Sequence, residues 1–180
     1  MKGSGNVSFF ISPTPKCFFT KYNMTQAQQQ VITAQIAELL QSKPHLFLAN
    51  IQVDVNNNIT VQLDGDTGVL ISDCVQLSRA LYAYIEENNV FENNDFGLEV
   101  SSFGVDESLL LPRQYIKNIG RSLSIITNNE VAYTGKITAA TNDWVSLIIT
   151  EGKGKKSTTE EKTFNIPELT TAIVQVSFKD

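Results

Sequence analysis

The apolar positions fall into two textures. In the first hundred residues, runs with helical spacing alternate with runs of period two. Val31, Ile32, Ile36, Leu39 and Leu40 recur at helical spacing behind Thr25 and Gln28, which have the spacing of a capping box. Pro44 limits this helix near Ser42. "LANIQVDV" alternates through Leu48, Ile51, Val53 and Val55, as a half-buried strand does. Asn56 to Asn58 suit a turn, and "ITVQLD" completes a hairpin through Ile59, Val61 and Leu63. After "GDTG", Ser72 is placed to cap a second helix, with Asp73 favourable to its dipole. Val75, Leu77, Leu81, Ala83 and Ile85 give that helix an apolar side, and "FGLEV" follows as a third strand. The pattern predicts an α-β-β-α-β layer pair, a three-stranded sheet with two helices on one face.

From Gly120 onward the pieces are short strands: "SLSIIT", "VAYTGKITAA", "WVSLIIT", "TFNIP" and "AIVQVSF", with a short turn at "ELTT". Five strands in so few residues predict a small closed barrel of SH3 or Sm type, so the whole chain is α+β. Gly135 is expected to let its strand bend sharply. The stretch Glu151 to Lys162 mixes charges of both signs with Gly and Ser and reads as a mobile loop. Between the textures, "ESLLLPRQYIKNI" holds Pro112 and a short helical turn. The expected division is a flexible tail over 1–23, an α/β domain over 24–110 and a barrel domain over 111–180. Met24, just before the capping box, is a candidate native start.

Charge sharpens this division. The net charge of −5 is unevenly spread. The first 23 residues carry only the cations Lys2, Lys16 and Lys21. Between residues 24 and 111, only Lys43 and Arg79 oppose a dozen carboxylates, while the last part is slightly basic. A front half this acidic repels a nucleic-acid backbone at long range and attracts a basic protein. The same charge also serves solubility alone. No apolar run reaches membrane-span length, and the apolar part of the amino-terminal stretch, Val7 to Ile11, is too short for a signal peptide and is followed by Pro13 and Pro15. Cys17 and Cys74 are not expected to form a disulfide framework, and His45 is the only imidazole, so neither a metal site nor a cofactor is expected.

Candidate chemistry is sparse. Counted from Asp64, "DGDTG" puts Gly68 at position five and Val75 at position twelve, which fails the calcium-loop pattern and leaves a strand-to-helix turn. "SSFG", Ser101 to Gly104, is not the hydrolase elbow, and no base stands beside it in sequence. The "KGSGN" stretch lacks phosphate-loop spacing. Trp144 and Tyr133 read as aromatics packed at a barrel end rather than as contact residues. Arg113, Lys117 and Arg121 are four apart and share one face on a helical turn, which suits a solvated face or a phosphate or partner contact. No catalytic residue is indicated.

Two stretches carry a resemblance. "VQLDGDTGVLISDCVQLSRAL", Val61 to Leu81, and "LEVSSFGVDESLLLPRQYIKNIGR", Leu98 to Arg121, resemble the motifs of RimP-type ribosome maturation factors. The second motif in that family runs close to L-E-V-S-S-P-G-x-D-R-P-L, followed by an aromatic and I/V-G-R/K. The resemblance covers about Met24 to Asp180. It implies a non-catalytic, cytoplasmic bacterial factor that binds the free small (30S) ribosomal subunit and assists its assembly around 16S rRNA and ribosomal protein S12. It also implies no cofactor, and a monomer is expected. Ser101, Ser102, Gly104, Asp106, Gly120 and Arg121 match the family motif, and Arg113 and Lys117 are candidates to supply charge beside it. Phe103 stands where the family has proline, and Glu107–Ser108 stand where it has Arg-Pro. On this reading the serines bond local amides to end the strand, Gly104 turns the chain, and Asp106 holds the linker by a similar bond. The stretch then orients two domains that must engage together. A general RNA-binding module with an Sm-like barrel is the alternative, and a hydrolase built on Ser101 or Ser102 is a third class.

Overall fold

The computed structural model describes residues 26–151 and 158–175. Thr25, the proposed tail, and the end of the last expected strand beyond Gln175 lie outside the described residues. Helix α1 covers Gln26–Leu40, and strands β1 (Leu46–Val53) and β2 (Asn58–Gly65) form an antiparallel hairpin. Asn57 adopts φ 60° in the connecting turn, as the asparagine run predicted. Helix α2 (Ile71–Glu87) crosses over to β3 (Gly97–Ser102), which pairs parallel to β2. The sheet order is therefore β1-β2-β3. Ile32 and Ile36 of α1 and Leu77, Leu81 and Ile85 of α2 bury one face of this sheet through Ile51, Ile59, Val61 and Leu63.

Two local expectations change here. The strand pattern counted Leu48 and Ile51 on one face although they are three apart. The pairing shifts between Leu48 and Asn50, so an irregularity in β1 restores their parity, and Val55 falls beyond the strand and is exposed. Ser72 does not cap α2 but lies inside it. The residue before the helix is Leu70, whose backbone N–H donates to Asp73 Oδ2 at 3.2 Å. An acidic side chain three positions on can reach back this far, which satisfies the amide of the residue before the helix, the half of a capping box that needs no serine.

A six-residue helix, α3 (Pro112–Lys117), precedes strands β4 (Ser122–Thr127), β5 (Ala132–Ala140), β6 (Trp144–Glu151), β7 (Thr158–Asn165) and β8 (Leu169–Gln175). These five form one antiparallel sheet in the order β7-β6-β5-β4-β8. Leu123, Ile125, Ile137, Val145, Leu147, Ile149, Ala172 and Val174 build a second core, joined by Tyr115 of α3 and Leu109 before it. The expected loop at Glu151 to Lys162 is partly strand: from Thr158 onward the chain pairs with β6 along its length, and 152–157 lie outside the described residues. Period-two hydrophobicity could not reveal it, because Thr158 to Glu161 are all exposed on an edge strand, where charged side chains also discourage further pairing. Gly135 meets Ile148 across the sheet, and the pairing irregularity lies further on, between Ile137 and Ala139. A Cβ at Gly135 would stand 2.5 Å from the Ile148 carbonyl oxygen, so its glycine serves close approach.

Candidate functional site at the joint between the two cores

The two cores meet where the end of β2 faces α3. Asp64, next to last in β2, is 5% exposed. Its carboxylate accepts from the Gly65 N–H at 2.8 Å, from Gln114 Nε2 at 3.0 Å and from the Lys117 ammonium. Gln114 is fully buried, and its Oε1 accepts from the backbone N–H groups of Leu110 (2.8 Å) and Leu111 (3.0 Å). One side chain thus caps α3 and ties it to the first sheet. The sequence makes this possible because Pro112 starts the helix and Gln114 follows two residues later, within reach of the free amides.

Beside this cluster, Arg113 forks onto Asp66, with Nε to Oδ1 at 2.8 Å and an Nη to Oδ2 at 2.6 Å. It also donates to the Pro44 carbonyl at 2.7 Å, and its Cζ lies 4.5 Å from the Phe47 ring centroid. The hydrogen bond from Arg113 holds the Asp66 carboxyl below its ordinary range, and the same bond raises the guanidinium. His45 is exposed, and its carbonyl accepts from the Asp66 N–H. Tyr115 is anchored in the second core, where burial pushes its phenol up to about 12.

The connecting chain is tied at both ends. The Phe103 N–H donates to the Leu63 carbonyl at 2.7 Å, extending the first sheet, and the Phe103 side chain packs against the second core. The Leu109 N–H donates to the Ala172 carbonyl at 2.7 Å, and the Ala172 N–H donates to Ser108 Oγ at 2.8 Å. Between these ties, Gln62 Nε2 donates to Glu107 Oε1 at 2.6 Å, and Asn50 Nδ2 donates to Gln62 Oε1 at 3.0 Å.

The motif residues occupy this region unequally. Ser101 and Ser102 lie on β3 opposite Gln62 and Leu63, and neither hydroxyl hydrogen-bonds another described residue. The strand ends without the expected serine–amide bonds. Asp106 is exposed and likewise makes no hydrogen bond to the described residues. Gly104 lies against the Glu107 side chain. Gly120 has φ +91°, and its N–H donates to the Ile137 carbonyl at 2.9 Å. Arg113 and Lys117 belong to α3, whereas Arg121 lies beyond it and reaches Asn118 Oδ1 at 3.3 Å. The sequence reading named the cations but missed their partners Asp64 and Asp66 and the buried Gln114. About fifty positions separate each pair, and no periodicity spans that interval. Elsewhere, Trp144 is half-buried at the start of β6, and Tyr133 meets the Phe164 ring at 4.9 Å between centroids. Among the described residues, no cluster of His, Cys, Asp and Glu is placed to hold a metal, and no helix is long and apolar enough to cross a membrane.

Comparison with known proteins bears on both cores. Residues 36–106 match the RimP N-terminal domain. Across 142 residues, 77% of this chain and 85% of the relative, the chain is 37% identical to the ribosome maturation factor RimP of Cytophaga hutchinsonii. The chain belongs to the RimP family. The RimP of Christiangramia forsetii is 38% identical over 138 residues, 74% of this chain and 88% of that protein. The RimP of Flavobacterium psychrophilum is 36% identical over 140 residues, 75% and 88% respectively. The RimP N-terminal match stops at Asp106, just before the connection reaches the second sheet through Ser108 and Leu109.

Proposed function

We propose that the chain acts in ribosome maturation as a non-catalytic factor that binds the free small subunit and assists its assembly around 16S rRNA and S12. The observation that carries this is the likeness to proteins named ribosome maturation factors over about three quarters of the chain. Two domains, divided near Leu110 to Pro112, engage the particle together, and linking two sites multiplies their affinities. The factor favours one arrangement of the unfinished particle by differential affinity and leaves when that arrangement is gone. The five-stranded sheet is read as an SH3-like barrel. The three-residue turn Ile166–Glu168 joins β7 directly to β8, which draws the two edge strands toward closure. The acidic front half meets basic protein surface. Ser101, Ser102, Gly104, Asp106, Gly120 and Arg121 shape or line the contact, and Arg113 and Lys117 reach phosphate only by exchanging Asp66 and Asp64. The factor works as a monomer in the cytoplasm.

The test is co-sedimentation of the full chain with small subunits purified from an assembly-impaired bacterium of the same group. Binding to immature particles in preference to mature ones, together with capture of isolated S12, is expected. Binding to neither overturns the reading. Equal binding to any RNA, with a steep loss in salt, favours a general RNA-binding module instead.

A further inference from the structure

The ionic contacts between the cores divide by burial. The Asp66–Arg113 pair is open, with its side chains 43% and 40% exposed. The side chains of Asp64 and Lys117 are 7% and 19% exposed, and Gln114, on the same carboxylate, is fully buried. We propose that the cluster of Asp64, Gln114 and Lys117 is a latch that holds the two cores in one relative orientation, and that the exposed pair beside it is dispensable for that purpose. This rests on the two-site binding proposed above, since only a binder whose halves engage together gains from a fixed orientation.

The geometry gives the latch its leverage. Helix α3 is seated in the second core by Tyr115 and bonded to the first sheet by its neighbours Gln114 and Lys117. Rotation of one core against the other pulls both donors from Asp64 and leaves its carboxylate with one backbone N–H. Gln114 and Lys117 are lost together, whereas the exposed pair exchanges its contact for water at little cost. The connection adds little slack, because Phe103 is bonded to the first sheet and Leu109 to the second. Gln114 cannot leave without also uncapping α3, so opening costs both contacts at once. Salt screens the Arg113 pair but hardly reaches the buried cluster.

The orientation is measured in the full chain by spin labels on Arg79→Cys in α2 and Asn142→Cys in the turn before β6, in a Cys17→Ser, Cys74→Ala background. The interspin distances of the parent are expected to be narrowly distributed, and to remain so in ~1 M salt and in Asp66→Asn. Gln114→Glu keeps an acceptor for the Leu110 and Leu111 amides but sets a second carboxylate against Asp64. Its distribution is expected to be about twofold broader or more. Asp64→Asn with Lys117→Met neutralises both charges and is expected to broaden it likewise, which covers a Gln114→Glu chain that fails to fold. Narrow distances in the folded latch variants overturn the proposal. So does a parent that is broad, or that broadens with salt or with Asp66→Asn. Expected distances without particle binding leave the latch standing and remove the binding function.

Discussion

Arg113 forks onto both carboxylate oxygens of Asp66, the two residues coming from opposite sides of the joint. The same guanidinium covers Phe47 and bonds the Pro44 carbonyl, so one α3 side chain gathers three contacts from the first half. Both partners are about two-fifths exposed, which keeps the ion pair itself modest. Arg113→Ala is expected to lower stability by about 1 kcal/mol in urea unfolding, counting pair and ring contact together. Arg113→Lys keeps the charge but not the planar fork and is expected to recover less than half of the loss. Full recovery by lysine means that charge alone matters there.

The same pair sets an acid dependence. The Arg113 hydrogen bond depresses the Asp66 carboxyl in the folded state. A depressed carboxyl contributes stability that is present above its unfolded value, about 4, and is lost as pH falls through the folded value. Asp73, bonded to Lys43 at 2.6 Å, is shifted the same way. The difference in Tm between the parent and Asp66→Asn is therefore expected to be largest near neutrality and to shrink below about pH 4. A difference that stays constant down to pH 2 removes Asp66 from the acid response.

Two glycines are expected to resist substitution for different reasons. Gly120 has open space around its missing Cβ, but its φ is +91°. Gly120→Ala is expected to cost about 1–2 kcal/mol of backbone strain, with Gly120→Asn milder. Gly135 has no left-handed φ, but a Cβ there would stand 2.5 Å from the Ile148 carbonyl oxygen, and a carbonyl held in the sheet cannot swing away. Gly135→Ala is expected to cost about 1–3 kcal/mol, with no relief from asparagine. Equilibrium unfolding of the four variants separates the two causes.

Much of the first half is legible because short-range rules govern it. The asparagine run gave the hairpin turn, Pro44 marked the end of α1, and Leu77, Leu81 and Ile85 marked the buried side of α2. Where a rule needs two residues at a distance, the sequence is silent. The Asp64–Gln114 contact spans fifty positions, and nothing local distinguishes Gln114 from the other glutamines. Strand β7 shows the converse. Its pairing uses backbone groups common to every residue, while its side chains read as a solvated loop. The motif serines, expected to end the strand by bonding local amides, are its last two residues, and their hydroxyls do not form those bonds.

Tyr115 offers a spectroscopic check on the seating of α3. Burial raises its phenol to about 12, above the ordinary 10. The protonated form is favoured in the folded state, so its share of stability is present below pH 10 and is lost as pH rises toward 12. In an ultraviolet titration of phenolate, Tyr115→Phe is expected to remove the latest-titrating signal and leave the earlier ones. Loss of an early signal instead means that Tyr115 is open to solvent and α3 is loosely seated.

Glu107 gives the last prediction, because it bonds Gln62, whereas the hydroxyls of Ser101 and Ser102 bond none of the described residues. The amides of Asn50 and Gln62 form a relay that ends on the Glu107 carboxylate. An amide can reverse its oxygen and nitrogen at little cost, so the relay also runs backwards if its last member is a donor. Glu107→Arg is therefore expected to be nearly neutral, within about 0.5 kcal/mol, whereas Glu107→Leu leaves Gln62 without its partner and costs about 1 kcal/mol. Ser101→Ala and Ser102→Ala are expected to change stability by less than about 0.5 kcal/mol but to weaken particle binding, since both belong to the proposed contact. Urea unfolding and co-sedimentation of the four variants check this. A damaging Glu107→Arg means that the relay is fixed in direction, and serine variants that bind like the parent remove those hydroxyls from the contact.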